Sequence, residues 1–283
     1  MNEAISLHRI LVALDASPSS LAALEAAARL ASELGAELMG LYVEEESLLR
    51  GADLPLTRVV GSFSGTLHPV GRREVEQQFR AQAAKARRAM EAVALRSRLR
   101  WSFRVARGGV AASVGAASTD ADMITLGRGR ALAGRRMGRT TASILESAGA
   151  PVLLLDSGLR PGQAVITVFD ETPGAEAALN LGCILKTRDE TPLFVVLRGS
   201  ESRLDALEDS ARAALRRVGV ESGVQFFRLG RRDPALLTRL NPREGIGMLI
   251  LPRPGALGKG VAELLNELRC PVLAIRKPSP GAD

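Results

Sequence analysis

The stretch Ile10-Leu11-Val12-Ala13-Leu14-Asp15-Ala16-Ser17-Pro18-Ser19-Ser20-Leu21-Ala22-Ala23-Leu24 decides the fold, because the chain repeats it as Val165-Ile166-Thr167-Val168-Phe169-Asp170-Glu171-Thr172-Pro173-Gly174-Ala175-Glu176-Ala177-Ala178-Leu179. The offset is 155 residues without a gap. It keeps an apolar run, an acid, a hydroxyl two positions later, a proline, and Ala-Ala-Leu beyond. The same offset matches Leu38 to Leu193 and Leu41 to Val196. A second echo closes each half: Ile144-Leu145 and Ala150-Pro151-Val152-Leu153 against Leu264-Leu265 and Cys270-Pro271-Val272-Leu273, now at an offset of 120. The second copy is therefore shorter inside by about 35 residues. Two unequal copies of one unit predict a pseudo-symmetric pair in which one copy keeps a site and the other has lost it.

Each copy reads as strands alternating with helices. Ile10–Leu14 is short and wholly apolar, the signature of a buried parallel strand. Ser17, Ser19 and Ser20 offer N-caps for the helix that follows, and Gly35 ends it. Strands are expected at 38–43, 101–106, 123–126 and 152–155, and helices at 72–98, 110–117 and 140–148. The segment from Glu44 to Gly71 is rich in Gly, Pro and Ser and reads as a long irregular connection. The second copy predicts strands at 164–169, 193–197, 224–229, 247–251 and 272–276. Its helices fall at 174–186, 203–217, 234–240 and 260–268. Such alternation calls for a parallel sheet covered on both faces. A break around 157–163 divides the chain into domains at 1–156 and 163–278.

The 283 residues, 46% hydrophobic and 24% charged, describe a globular chain with room for two cores. No apolar run approaches the ~20 residues needed to cross a bilayer. The first residues lack a basic start followed by an apolar stretch, so no secretion signal is expected. The net charge of +7 comes from 21 basic and 16 acidic side chains before residue 161, and 17 and 15 after it. With aromatics at only 3%, a base-stacking surface is poorly supplied and nucleic acid is not the expected partner. Cys183 and Cys270 lack metal-ligand spacing and read as buried reduced thiols.

In an open parallel sheet, ligands sit beyond the carboxyl ends of the strands. Asp15, Val43 and Gly127 end three strands there. After the last comes Gly127-Arg128-Gly129-Arg130-Ala131-Leu132-Ala133-Gly134-Arg135-Arg136-Met137-Gly138-Arg139-Thr140-Thr141. Glycines let backbone N–H groups approach a phosphate, the next helix adds positive potential at its N-terminus, and Thr140 and Thr141 bring hydroxyls. Two readings stay open on the residues alone: a phosphate cradle, or a solvated loop with incidental arginines.

At these residues the chain resembles the universal stress protein family in its tandem-domain form. The resemblance implies two flavodoxin-like (adenine nucleotide alpha hydrolase-like) α/β domains, each with a five-stranded parallel sheet and helices on both faces, packed through their last strands at 152–155 and 272–276. In the family's ATP-binding members an Asp follows the first strand, near ribose and phosphates, and the loop has the form Gly-x2-Gly-x9-Gly-[Ser/Thr]. Asp15 matches the acid. Ala13 and Val43 match positions facing the adenine. Leu126, Gly127, Gly138, Thr140 and Thr141 match the phosphate-loop framework, and Gly129 and Arg139 are candidate binding residues within it that do not fit the pattern. The loop departs from the pattern: Gly129 comes one residue early, eight residues separate it from Gly138, and Arg139 stands where the hydroxyl residue is expected. In the second copy the loop shrinks to Leu251-Pro252-Arg253-Pro254-Gly255-Ala256-Leu257-Gly258, and two prolines remove donors an anion would need.

Nothing points to ordinary catalysis. His8 and His68 are the only histidines, the first before a strand and the second in the irregular segment. Glu44-Glu45-Glu46 reads as a solvated acidic turn rather than a metal site. The expectation is a cytoplasmic stress-response protein, not an enzyme, that binds ATP or another adenine nucleotide in its first domain, with Mg2+ as a candidate companion. It would act as a sensor toward an unidentified protein partner, with a pseudo-dimer inside the chain and a homodimer left open. The alternatives are an interaction scaffold that keeps only the fold, and a slow ATPase that would rest on Asp15.

Overall fold

The structure, a computed structural model, describes residues 7–53, 58–60, 67–69, 71–128, 139–155, 163–170, 172, 174–189, 191–220, 222–230, 245–252 and 270–275. The first half contributes β1 (Arg9–Ala13), α1 (Pro18–Leu34), β2 (Glu37–Glu45), α2 (Glu46–Ala52), β3 (Arg58–Val60), β4 (Leu67–Pro69), α3 (Arg72–Arg96), β5 (Trp101–Gly108), α4 (Val110–Ala117), β6 (Met123–Gly127), α5 (Arg139–Ser147) and β7 (Val152–Leu155). The second contributes β8 (Ala164–Phe169), α6 (Ala175–Asp189), β9 (Leu193–Gly199), α7 (Glu201–Arg217), β10 (Val224–Gly230), β11 (Ile246–Pro252) and β12 (Val272–Ile275).

All strands but β3 and β4 join one ten-stranded sheet, ordered β10-β9-β8-β11-β12-β7-β6-β1-β2-β5. Each half repeats the same internal order, with its first and fourth strands adjacent: β1 beside β6, and β8 beside β11. Chain direction is parallel within each half. It reverses once, where β12 pairs antiparallel with β7 through Val272–Leu154, Leu273–Leu153 and Ala274–Val152. The last strands therefore join the halves, and the carboxyl ends of the two strand sets point in opposite directions along the sheet.

The residues at the join show why it holds. Leu153 and Leu155 enter one core cluster, with Leu273 and Ile275, while Val152 and Leu154 enter the other, with Val272 and Ala274. This alternation is the period-two geometry of a strand buried on both faces. Leu153, Leu154 and Leu155 are fully buried, and burying each such side chain is worth about 1.5–3 kcal/mol. The apolar residues that α1, α3, α6 and α7 add to the core enter the first cluster, and those from α4 and α5 enter the second.

Helix α1 forms as its sequence asks. The Ser17 side chain accepts from the Ser20 N–H, Pro18 opens the helix with its pre-set φ, and Gly35 closes it at a φ of 69°. Its buried face is Ala23, Ala26, Ala27, Ala28 and Ala31, with Leu24 and Leu30. The small side chains let the helix axis approach the sheet closely.

The segment from Glu44 to Gly71 is not irregular throughout. Glu44 and Glu45 finish β2, and Glu46 opens the two-turn helix α2. Arg58–Val60 and Leu67–Pro69 pair antiparallel. Leu49, only 1% exposed, anchors α2. A single buried leucine is too weak a periodic signal to reveal seven helical residues among Gly and Pro. The expected helices at 234–240 and 260–268, and the break at 157–162, lie outside the described residues. Among the described residues, no helix is long and apolar enough to cross a membrane.

Candidate functional site

Strand register assembles the site. Ala13 lies between Leu41 of β2 and Leu126 of β6, and the next amide, Leu14 N–H, donates to the Leu41 carbonyl at 2.8 Å. Leu14 is buried, and Asp15 emerges exposed beyond the carboxyl end of β1. Val43 lies further along β2 on the same side of the molecule, half-buried. The order reverses between β1 and β6, and such a reversal opens a crevice at the carboxyl ends of parallel strands.

A tight serine turn shapes Asp15. Its Oδ1 accepts the Ser17 N–H at 2.9 Å, its own N–H points to Ser20 Oγ at 3.4 Å, and Ser20 Oγ donates to the Ser17 carbonyl at 3.1 Å. Ser17 Oγ and Ser19 Oγ share a further bond at 3.1 Å. Between Asp15 and Ser17, Ala16 adopts a φ of 60°, a left-handed conformation that costs a residue with a Cβ about 1–2 kcal/mol. Crowding of the carboxylate by this turn works to raise its pKa. The hydrogen bonds from Ser17 and Ser20 outweigh that and hold it below the ordinary carboxylate value. Asp15 is thus an exposed, ionised acceptor at neutral pH.

Gly127 ends β6 where the backbone of α1 begins. A Cβ on Gly127 would stand 2.5 Å from the Ser19 carbonyl carbon and 2.6 Å from the Ser20 nitrogen. The glycine is required for close strand-to-helix packing, whatever its role toward a ligand. Arg128, next in the chain, is buried and its N–H donates to the Leu155 carbonyl at 2.6 Å. Arg139 and Thr140 are exposed at the start of α5, and Thr141 is half-buried. Gly129 and Gly138 lie outside the described residues.

Beside Asp15, Tyr42 of β2 is buried and donates to Gln82 Oε1 of α3 at 2.9 Å. Burial, and then the negative charges of Glu44 and Asp15, push its phenol up to about 12. Glu44 Oε2 accepts from Arg107 at the end of β5 through two bonds of 2.9 and 2.7 Å. The Glu44-Glu45-Glu46 run is therefore a strand end and a helix start rather than an acidic turn. Among the described residues no group of three or more acidic, histidine or cysteine side chains is arranged to hold a metal. His8 is exposed at the opposite end of β1. Both cysteines are buried, and burial pushes the Cys183 thiol up to about 11.

Residues 6–156 match the model of the Universal stress protein family. The chain belongs to this family. Among solved structures, this universal stress protein resembles one from Archaeoglobus fulgidus DSM 4304, at 14% identity over 97% of this chain and 99% of that one, with a TM-score of 0.68. A putative universal stress protein from Pseudomonas aeruginosa UCBPP-PA14 aligns at 14% identity over 97% and 95% of the two chains, with a TM-score of 0.55. These likenesses extend the family's fold over both halves. No curated protein matches the sequence.

The second half of this universal stress protein arranges the same positions differently. Asp170, the counterpart of Asp15, is buried. Its Oδ1 accepts the Thr172 N–H at 2.9 Å and the Thr172 hydroxyl, and its Oδ2 lies 3.9 Å from an Arg198 guanidinium nitrogen. Arg198 stands 155 residues after Val43. Register agrees: Val168 of β8 pairs with Val196 of β9 as Ala13 pairs with Leu41. Sequence reading stopped at that Leu41–Val196 match, and two more steps along the same ungapped offset would have found the arginine.

Proposed function

We propose that the chain binds an adenine nucleotide, ATP or ADP, in its first half (residues 1–156), and works in the cytoplasm as a regulatory stress protein rather than as an enzyme. In this reading residues 163–278 are a companion domain without a nucleotide. The observation that carries it is Asp15: an exposed carboxylate, held ionised by the Ser17–Ser20 turn, at the strand-order reversal between β1 and β6. A carboxylate is an acceptor only, so it suits the donor hydroxyls of a ribose and not a phosphate. Ala13 and Val43 offer the half-buried apolar edges that suit a flat base. The phosphates would then fall to the glycine–arginine loop and to Arg139, Thr140 and Thr141. A bound Mg2+ would neutralise phosphate charge, with Asp15 the protein's nearest candidate anchor.

Nucleotide bound there would change what the rim of the site presents to a protein partner. The test is mass spectrometry of small molecules released on denaturing the freshly purified chain, followed by ATP titration with magnesium. Recovery of adenine nucleotide near a single equivalent per chain is expected. A nucleotide-free chain that also gives no heat on titration overturns the reading and leaves a scaffold that keeps only the fold.

A further inference from the structure

The Asp170–Arg198 pair has no counterpart in the first half. The two halves share strand order, register and the acid after the first strand. Among the differences between their second strands is one of charge, where Val43 is a short apolar side chain and Arg198 carries a guanidinium. The consequences for the acids are opposite. Asp15 is exposed, whereas the side chains of Asp170 and Arg198 retain only 6% and 14% of their exposure. Charges that far from water persist when each satisfies the other and further hydrogen bonds take up the remaining capacity. Thr172 supplies two such bonds to Asp170, from its N–H and its hydroxyl.

We infer that Arg198 is the residue that closes the second half to nucleotide: its guanidinium covers the position corresponding to Val43 and neutralises the acid that would meet a ribose, so the former site is held shut by an internal ion pair. An incoming base would have to displace a buried cation and leave Asp170 unpaired. Displacement of that kind costs more than an apolar contact with the base returns. Asp170 is consequently a structural residue and Asp15 a ligand residue, although the two occupy the same place in the repeat. The assignment of a nucleotide to the first half rests on the function proposed above; the closed pair in the second half does not.

The test is a double-mutant cycle on the full chain with two readouts, the melting temperature and the ATP bound per chain at saturation with magnesium. Asp170→Asn and Arg198→Met should each lower the melting temperature by roughly 5 °C or more. The double variant should lose clearly less than the two added together. Asp170→Asn should keep the wild-type nucleotide content, whereas Arg198→Val, which restores the residue of the first half, should bind additional ATP. A folded Arg198→Val protein with no added ATP overturns Arg198 as the residue that closes the site. Single variants that melt like the wild type, or a double variant whose loss is additive, overturn the pair. So does an Asp170→Asn protein that melts normally but binds one equivalent less, since Asp170 would then be a ligand. Should a single variant fail to fold, a folded double variant demonstrates the coupling, and a double variant equally unable to fold refutes it. A wild type that binds no nucleotide would count against the proposed function alone, and the melting cycle would still decide the pair.

Discussion

Gly127 and the Ser19 carbonyl are in contact so close that a methyl group on the glycine would stand 2.5 Å from the serine's carbonyl carbon. In the second half the arrangement is exchanged. The position of Gly127 holds Pro252, and the position of Ser19 holds Gly174, where a Cβ would lie 3.5 Å from the Pro252 Cβ. One partner of the strand-to-helix contact is glycine in each half, but not the same one. Gly127→Ala should therefore destabilise the protein by about 1–3 kcal/mol, the usual cost of overpacking. Gly174→Ala, whose nearest neighbour would be the Ile275 carbonyl oxygen at 3.4 Å, should cost less. Parallel thermal melts check the ranking, and equal losses would contradict it.

Asp15→Asn should abolish nucleotide binding and leave the fold intact, because the amide can still accept the Ser17 N–H. Its effect on stability has a defined sign. The carboxyl's folded pKa lies below its ordinary value of 3.8. Its contribution is present above that value and disappears as the pH falls through the folded pKa. Wild type and variant should differ most near neutrality and converge in acid, as denaturant midpoints followed from pH 7 downward would show.

Tyr42 is the only tyrosine in the chain, so its ionisation can be read directly from phenolate absorbance. The raised pKa favours the protonated phenol in the folded state. That contribution is complete below the ordinary value of 10.0 and is lost as the pH rises toward about 12. Phenolate absorbance should emerge near the upper value in the native protein. It should move down in Asp15→Asn, which removes one of the two negative charges acting on it. A native transition near 10 in both proteins would contradict the buried geometry.

Ala16, at a φ of 60°, carries a left-handed conformation that glycine adopts freely. Ala16→Gly relieves that strain and increases the freedom of the unfolded chain, which offsets part of the gain. A net stabilisation of about 0.5–1 kcal/mol is expected in chemical denaturation. A loss of stability would mean that Ala16 makes contacts that matter more than its backbone angle.

The repeat made the architecture legible. Once Ile10–Leu14 and Val165–Phe169 align, the alternation of strands and helices and the place of Asp15 beyond the first strand follow from the rules of parallel sheets. The cap at Ser17 and the stop at Gly35 were also readable, because both act on their own neighbours in sequence. What stayed hidden depends on partners distant along the chain. The packing role of Gly127 is one such case, since nothing local shows that Ser19 presses against it. Tyr42 and Gln82 lie 40 residues apart and meet only after α3 folds over β2. Helix α2 was missed because its identity rests on the burial of Leu49.

The antiparallel seam between Val152–Leu155 and Val272–Ile275 has a consequence for how such a chain comes to exist. A gene for either half alone would encode a product with an open row of amides and carbonyls along a strand made wholly of apolar residues. Such a margin invites another like it. Fusing two copies turns a meeting that depends on protein concentration into one guaranteed by covalent connection. Each half is thereby assured of its mate, and one of the two is released to diverge, as the buried charges of Asp170 and Arg198 indicate.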